Sequence, residues 1–464
     1  MQPRDVDAVV IGGGLAGLVA AWQLTQRGLR PVLIEARGYV GGLVAGTELG
    51  QLTFDIGAES FAVRGGAVQA LCDELGVATE PPNEGGSWVY FDDATFRLPT
   101  HAILGLPEDV TAAEIVAAIG LDAVARAAAL DAAPVTDVPR DLAGLVRTRL
   151  GEDVLTRLVT PIAGGIHSDD PSLLAADVVI PGITDAVRRE GSLQAAVKSL
   201  RRPGSPIATC TGGQFRLAEA LRDAILAADG EVWTRTGTES IVRDGDRWLV
   251  PAAETVRGEN PSEAPRPAGE PRPLRAPRVV IACSSTPARA LLADHVELGD
   301  HQLDIGSPIA HLTLVLDAPE LDARPRGTGM LVAPGTTGVA AKALTHLTSK
   351  WNWLGQSAPA GRHVLRISYG RVREPYPQPT LAGGLADVSR MLGVELSADQ
   401  VVDHRLIRWD GTLAPLTPAT RDWTAGIVRQ LGSRPGLALT GAWVAGTGLA
   451  ALVPHARRVA KELA

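Results

Sequence analysis

Asp7-Ala-Val-Val-Ile-Gly-Gly-Gly-Leu-Ala-Gly-Leu-Val-Ala-Ala-Trp22 reads as a strand, a glycine turn and a helix. Gly12, Gly14 and Gly17 make a G-x-G-x-x-G turn. Gly12 permits the tight turn, Gly14 has no Cβ to obstruct a pyrophosphate, and Gly17 lets the helix lie close on the strand. Free amides at the helix start then face the phosphates. Such a turn alone is weak evidence, but here an apolar strand, Val6 to Ile11, precedes it and the helix runs to Gly28. A second strand, Pro31-Val-Leu-Ile-Glu35, follows, and it ends on an acid about 20 residues on, where a carboxylate can accept ribose hydroxyls. The stretch therefore predicts a dinucleotide site.

The 464 residues exceed one ordinary domain, and a 45% hydrophobic content is enough for about two or three cores. A net charge of -8 disfavours nucleic acid as a partner. Cys72, Cys210 and Cys283 are far apart in sequence with no C-x-x-C, so neither a metal site nor a disulfide framework is expected, and Cys283 reads as a small core residue. A reducing cytoplasm suits them. The N-terminal apolar run is interrupted by glycines and preceded by Asp5 and Asp7, so it is no signal peptide, and no stretch has the length of a spanning helix. Peripheral membrane contact stays open.

Past Glu35, Ala36-Arg-Gly-Tyr-Val-Gly-Gly42 places a basic residue and a double glycine just beyond the ribose acid, and Phe54-Asp-Ile-Gly-Ala-Glu-Ser-Phe61 brings the chain back. This arrangement resembles the FAD-dependent amine oxidase superfamily, which implies FAD rather than NAD and backbone at Gly57 and Ala58 under the isoalloxazine. Val68 to Gly76 reads as a helix, Trp88 to Leu98 as two strands about an Asp-Asp turn, and Pro107 to Ser199 as a helical subdomain. Leu121 to Ala133 reads as a plain packed helix. Within the subdomain, Pro161-Ile-Ala-Gly-Gly-Ile-His-Ser-Asp-Asp-Pro-Ser-Leu-Leu174 is a cluster of turn formers in which His167, Asp169 and Asp170 read as capping and turn residues rather than a metal site.

That cluster is similar to the P-x-x-x-G-I-x-x-x-D-P-x-x-L motif of the protoporphyrinogen and coproporphyrinogen oxidase family. Lys342-Ala-Leu-Thr-His-Leu-Thr-Ser-Lys-Trp351 resembles the A-x-T-x-x-S/T-x-K-W block of its bacterial coproporphyrinogen branch. There His346 reads as a hydrogen-bonded structural residue. Gly436-Leu-Ala-Leu-Thr-Gly-Ala-Trp-Val-Ala-Gly-Thr-Gly-Leu449 supplies a second strand, glycine loop and helix. Two departures stand out. Thr238 occupies a position commonly Val, and Ala414 to Thr420 replaces a Pro-x-Tyr-x-x-Gly-His block.

The resemblance implies an α/β fold: a Rossmann-like FAD-binding domain of the two-dinucleotide-binding flavoprotein type, an antiparallel-sheet substrate domain and a helical subdomain. We expect residues 1–87, 200–295 and 411–464 in the first, 88–100 and 296–410 in the second and 101–199 in the third. Glu231 to Thr234, Arg247 to Val250 and Val279 to Ala282 read as strands of one small sheet, with Pro251 to Pro277 as a disordered or loosely held insertion (about 252–277). Pro308 to Leu316, Met330 to Ala333 and Val364 to Tyr369 read as the second sheet, which His404 to Trp409 leaves. The implied FAD contacts are Gly12, Gly13, Gly14, Leu15, Ala16 and Gly17, then Glu35, Ala36 and Arg37, then Gly41, Gly42 and Leu43. Gly57, Ala58, Glu59 and Ser60 follow, with Thr238, Trp409, Gly446, Gly448, Leu449 and Ala450.

The implied reaction removes six electrons from a porphyrinogen in three two-electron steps and passes them through FAD to oxygen, in haem biosynthesis. No catalytic side chain is required by the sequence. Glu59 is expected either to orient substrate or to bond its own loop; Arg64, Lys350, Arg366 and Arg371 are expected either to meet propionates or to lie on solvated surface. Coproporphyrinogen III is the expected substrate, with protoporphyrinogen IX, a flavin amine oxidase and a non-catalytic FAD-binding scaffold as alternatives. No metal is expected, and the partners are the porphyrinogen, oxygen and, transiently, the next haem-pathway enzyme, in the cytoplasm.

Overall fold

The computed structural model describes residues 2–91, 93–166, 170–202, 204–257, 265–302, 306–371, 374–412 and 418–464. Its centre is a parallel sheet of five strands in the order Glu231–Trp233, Pro31–Ile34, Ala8–Ile11, Val279–Ile281 and Leu437–Leu439. Continuous apolar runs such as Ala8-Val-Val-Ile11, buried at all four positions, are what a parallel sheet covered on both faces demands. Helix Leu15–Thr25 is buried along its whole length and lies between this sheet and the last helix, Leu449–Leu463, with helix Phe215–Ala227 alongside.

A mixed sheet of seven strands follows the order Val401–Thr412, Ser307–Asp317, Arg362–Tyr369, Ala343–His346, Gly329–Val332, Ser87–Phe91 and Ala94–Arg97. Period-2 alternation gives it two unlike faces. Leu312, Leu314, Leu316, Leu365 and Ile367 pack against Val388, Met391 and Leu392 of helix Leu381–Leu392. His311 stands opposite Ser368 and Thr313 opposite Arg366, so the other face carries polar groups. Helices from Ala113–Ile119 to Leu193–Leu200 share a core with Val89, Phe96 and Ala333 at the far end of that sheet. Arg149 and Asp131, each 3% exposed, hold it together: Asp131 accepts from the Leu193 amide at 2.7 Å and from Ser192 Oγ at 2.5 Å.

Several expectations need correction. The stretch expected to be a disordered insertion is largely strand: Arg247–Val256 runs past Pro251 and pairs with Arg272–Ala276, and Arg266–Pro267 pairs with its end. Polar composition misled here, because Trp248, Val250, Ala252 and Leu274 on one face are buried. Residues 258–264 lie outside the described residues. Arg247–Val256 belongs to a separate sheet and not to that of Glu231–Trp233. The strand containing His404 to Trp409 is an edge of the seven-stranded sheet rather than an exit from it, and one pairing in that sheet, Gly329–Val332 with Ser87–Phe91, is parallel. Cys72 and Cys210, distant in sequence, are both fully buried with their sulfurs 3.9 Å apart. His167, Asp169 and Ala414 to Thr417 lie outside the described residues. Asp170 accepts from the Ser172 amide at 2.8 Å, as a turn former does.

Candidate active site

The first half of the site is built from backbone. A Cβ on Gly17 would stand 1.9 Å from Gly12 O, and one on Gly12, where φ is +111°, 2.8 Å from Cys283 N, so strand, turn and helix fit only with glycine at both. A Cβ on Gly14 would meet nothing within 4 Å. That open space faces the paired glycines: Gly41 N donates to Gly13 O at 2.8 Å, and Gly42 comes close enough that its Cβ would lie 3.3 Å from Gly14 Cα. No side chain caps helix Leu15–Thr25, which leaves the amides of Leu15, Ala16 and Gly17 pointing into the cradle. Gly448, before helix Leu449–Leu463, repeats the pattern, with no side-chain cap and open space where a Cβ would be.

Glu35 closes the second strand, half-buried. Its carboxylate accepts from Gly13 N at 2.6 Å and Arg37 N at 2.7 Å, while burial raises its pKa against those amides. Ala36 O accepts from Thr255 Oγ1 at 2.6 Å, and Thr238 lies just past the strand Thr236–Gly237 that borders Glu35 and Ala36. The glycine cradle, the uncapped helix starts and the acid at the strand end fit a dinucleotide cofactor whose phosphates carry negative charge.

The second half is built from side chains. Ala58 N donates to Leu43 O at 2.8 Å, and a Cβ on Gly57 would meet that oxygen at 2.0 Å and Trp409 Cζ2 at 3.3 Å, so Leu43, Gly57, Ala58 and Trp409 converge. Trp409 Nε1 donates to His311 Nδ1 at 3.3 Å, and Ile56 O lies at the same 3.3 Å from that nitrogen. One nitrogen cannot both accept from the indole and donate to the carbonyl. The bare Nδ1 that Trp409 needs is the neutral tautomer protonated at Nε2, and burial, with Arg366 nearby, pushes the His311 pKa down to about 3.

Glu59, 7% exposed, sits one residue past Ala58, and its two oxygens divide between two cations. Lys350 Nζ donates to Oε1 at 2.6 Å and Arg366 Nη2 to Oε2 at 2.6 Å, while Arg366 Nη1 donates to Gly57 O at 2.8 Å. Burial alone would raise the Glu59 carboxyl; the charges of Arg366 and Lys350 outweigh it and hold the group below its usual range. The structure thus brings together Glu59, Lys350 and Arg366. Arg64 is exposed in the turn before helix Ala67–Glu74, with no hydrogen bond or ion pair among the described residues, and half-buried Arg371 donates through Nη2 to Val332 O at 3.2 Å. Ser60 is half-buried beside Glu59, and Gly446, Leu449 and Ala450 flank the exposed Gly448.

Sequence reasoning passed over Asp55 and His311. Asp55, 2% exposed, accepts from the Gln214 and Phe215 amides at 2.8 and 2.9 Å, capping helix Phe215–Ala227 from 159 residues away, and burial pushes its pKa up to about 7. Its place inside Phe54-Asp-Ile-Gly-Ala-Glu-Ser-Phe61 was the only available signal. Among the described residues no group of three or more His, Cys, Asp or Glu could hold a metal, and no helix is long and apolar enough to cross a membrane.

A parallel sheet with a glycine cradle at its strand ends, joined to a second sheet with one polar face, defines a dinucleotide-binding protein, and the family match makes it an FAD-dependent oxidoreductase. Residues 15–464 match the model of the flavin containing amine oxidoreductases, and the chain belongs to that family. It is 28% identical over 476 residues to a coproporphyrinogen III oxidase of Mycobacterium tuberculosis, covering 99% of this chain and 97% of that one. The coproporphyrinogen III oxidase of Bacillus subtilis is 22% identical over 389 residues, covering 80% and 78% of the two chains. Among solved structures, a provisional protoporphyrinogen oxidase from Exiguobacterium sp. 255-15 superposes with a TM-score of 0.82 at 22% identity, covering 100% of this chain and 99% of that one. A putrescine oxidase superposes at 0.62 with 17% identity over 100% and 99%. At these identities the superpositions show the fold alone.

Proposed function

We propose that this protein oxidises coproporphyrinogen III to coproporphyrin III, with three molecules of oxygen reduced to three of hydrogen peroxide. The observation that carries the reading is the similarity along 99% of the chain to a relative of that name. Bound FAD would supply the hydride acceptor. The chain's own residues bind and orient. Gly12 to Gly17, Gly41, Gly42 and the start of helix Leu449–Leu463 would take the pyrophosphate, and Glu35 would exchange its amide donors for ribose hydroxyls. Trp409, fixed by His311, would limit the ring's tilt against Gly57 and Ala58. Glu59, with one cation on each oxygen, would serve as the anchor of that loop on the second sheet.

The 1–87, 200–295 and 411–464 segments would form the FAD-binding domain, 88–100 and 296–410 the substrate domain and 101–199 its helical cover. We place the protein in the cytoplasm, with transient hand-over of product to the next haem-pathway enzyme. The test uses the purified yellow protein with each porphyrinogen supplied separately, reading porphyrin fluorescence and peroxide together. Three peroxides per porphyrin from coproporphyrinogen support the reading. A flavin that stays oxidised when coproporphyrinogen is added without oxygen, or peroxide only from a primary amine, would overturn it.

A further inference from the structure

The three cysteines are scattered along the sequence, but the fold gathers two of them. Cys72 lies in the last turn of helix Ala67–Glu74, and Cys210 ends the strand Ile207–Cys210. Past the helix the chain reverses at Gly76, where φ is +68°, with Val77 N donating to Cys72 O at 2.8 Å. It returns as the strand Thr79–Glu80, in which Thr79 stands opposite Cys210. This reversal lays the helix end against the strand end, and the two sulfurs meet at 3.9 Å, both residues fully buried.

Thiols in contact can be mere core filling, but this pair differs in its proton, its cover and its place. The sulfurs share a hydrogen bond that holds the Cys72 thiol below its ordinary range, while the same bond and burial push Cys210 up. One sulfur is thus readied to attack and the other keeps its proton, the division of roles that a dithiol needs. The cover over Cys72 is thin. Its helix has eight residues, of which only Val68, Leu71 and Cys72 are buried. Gln69 holds that helix from outside, donating to Asp73 Oδ1 and accepting from Thr79 Oγ1, each at 2.9 Å. Opening this short helix would uncover Cys72 and leave both large sheets intact. Cys210 in turn stands beside the cofactor loop: Ala208 pairs with Phe61, and Asp55 caps the amides of Gln214 and Phe215.

We propose that Cys72 and Cys210 are a dithiol that hydrogen peroxide oxidises to a disulfide behind the cofactor loop. That the peroxide is the enzyme's own product rests on the oxidase reading above. The Cys72 sulfur attacks one peroxide oxygen, the O–O bond breaks, and a Cys72 sulfenic acid and one water form. The Cys210 sulfur then displaces the hydroxyl, which takes the Cys210 proton and leaves as a second water. Two thiols give up two electrons and two protons, and one peroxide becomes two waters. Bonding asks the sulfurs to approach by about 2 Å. The bond would join positions 138 residues apart and close a loop that contains every helix from Ala113–Ile119 to Leu193–Leu200, which restricts the unfolded chain. Cys283 has no such neighbour, and burial pushes its thiol up to about 12, so it should stay reduced.

The experiment treats the reduced holoprotein, freed of reductant, with hydrogen peroxide in about tenfold excess, then denatures it, alkylates it and maps its peptides. Free thiols should fall from three to one, with a single pair of peptides joined through Cys72 and Cys210. The oxidised protein should melt about 3 °C higher than the reduced one and return to the lower Tm with dithiothreitol. C210S should halt at the first step, leaving a sulfenic acid at Cys72 that dimedone captures. If C210S does not fold, the wild-type peptide map alone decides. Three free thiols after peroxide, or oxidation of Cys283 ahead of the pair, would overturn the assignment. A bond that forms with added peroxide but not during aerobic turnover of coproporphyrinogen would instead count against the reading of the reaction.

Discussion

The two sheets make their sites by different means. At the parallel sheet, function is written in missing side chains: Gly12 and Gly17 let strand, turn and helix close on one another, and Gly14 leaves open the space that the uncapped helix start faces. At the seven-stranded sheet it is written in side chains drawn from positions 59, 311, 350, 366 and 409, brought together by strand register. A backbone site is a local property of the chain and a side-chain site is a property of the whole fold. The two should therefore fail differently when single residues are changed.

The largest effect is expected at the side-chain site. Glu59→Gln keeps the shape and removes the charge, leaving Lys350 and Arg366 partly buried around a neutral amide. Losing one partner of such a group costs about 3 kcal/mol or more, and urea denaturation of the variant should show it. Because Arg366 also holds Gly57 O, flavin retention on gel filtration should fall in parallel. A variant with wild-type stability would mean that Glu59 is not the anchor of its loop.

Next comes Gly17→Ala. The new Cβ would lie 1.9 Å from Gly12 O, and neither side can yield, since the helix is buried throughout between the sheet and the last helix. Overpacking against backbone costs about 3 kcal/mol, and here the apo-protein as well as the holo-protein should lose it. Equal denaturation midpoints for the variant and wild-type apo-proteins would show the contact to be softer than the geometry says.

The same division explains what could be read from sequence. Gly12, Gly14, Gly17, Glu35 and the glycines at 41 and 42 declare themselves by spacing within one stretch of chain, because a turn has few solutions. Glu59, Lys350 and Arg366 were each visible as candidates, but no local pattern says that the carboxylate joins the two cations. Only the pairing of Thr313 with Arg366 and of Thr345 with Arg366 places that guanidinium over Gly57. Asp55 escaped notice for the same reason, its partners being at 214 and 215. The described parts of 251–277 were misread because proline and charge suggest disorder, whereas a strand needs only one apolar face.

A smaller effect comes from the buried face of the second sheet. His346 Nε2 and His363 Nδ1 are 2.9 Å apart, and His363 Nε2 is 3.0 Å from Asp322 Oδ1. Burial holds the His346 pKa down at about 3 and lowers that of His363. An imidazole whose folded pKa lies below its unfolded value of about 6.5 contributes stability that is complete above that pH and is lost as pH falls toward the folded value. His346 alone should cost about 1 kcal/mol between pH 6.5 and 5.5. Asp55 works in the opposite sense, since a carboxyl raised to about 7 binds its proton more tightly in the fold than in the unfolded chain. The decisive measurement is a difference: the pH slope of unfolding free energy in His346→Gln should be shallower than that of the wild type by up to one proton. Identical slopes would mean that His346 is already protonated in the fold.

The smallest effect on stability is expected at Gly14, and it separates the two kinds of site most cleanly. A Cβ there meets no protein atom within 4 Å, and its φ of -65° suits any residue. Gly14→Ala should therefore leave the apo-protein within about 1 kcal/mol of the wild type, the change expected when one helix-capping residue replaces another. The methyl group projects instead into the cradle between Gly14 and Gly42, where phosphate must approach the backbone. Flavin affinity, measured by fluorescence titration of the apo-protein, should drop about tenfold or more, a loss of about 1.4 kcal/mol, with no matching loss of fold. Gly17→Ala and Gly14→Ala lie three residues apart in one turn, and the first weakens the fold while the second weakens only the hold on the ligand. A Gly14→Ala protein that unfolds would show that the cradle supports the fold as well as the cofactor, and a yellow one of full affinity would place the phosphates elsewhere.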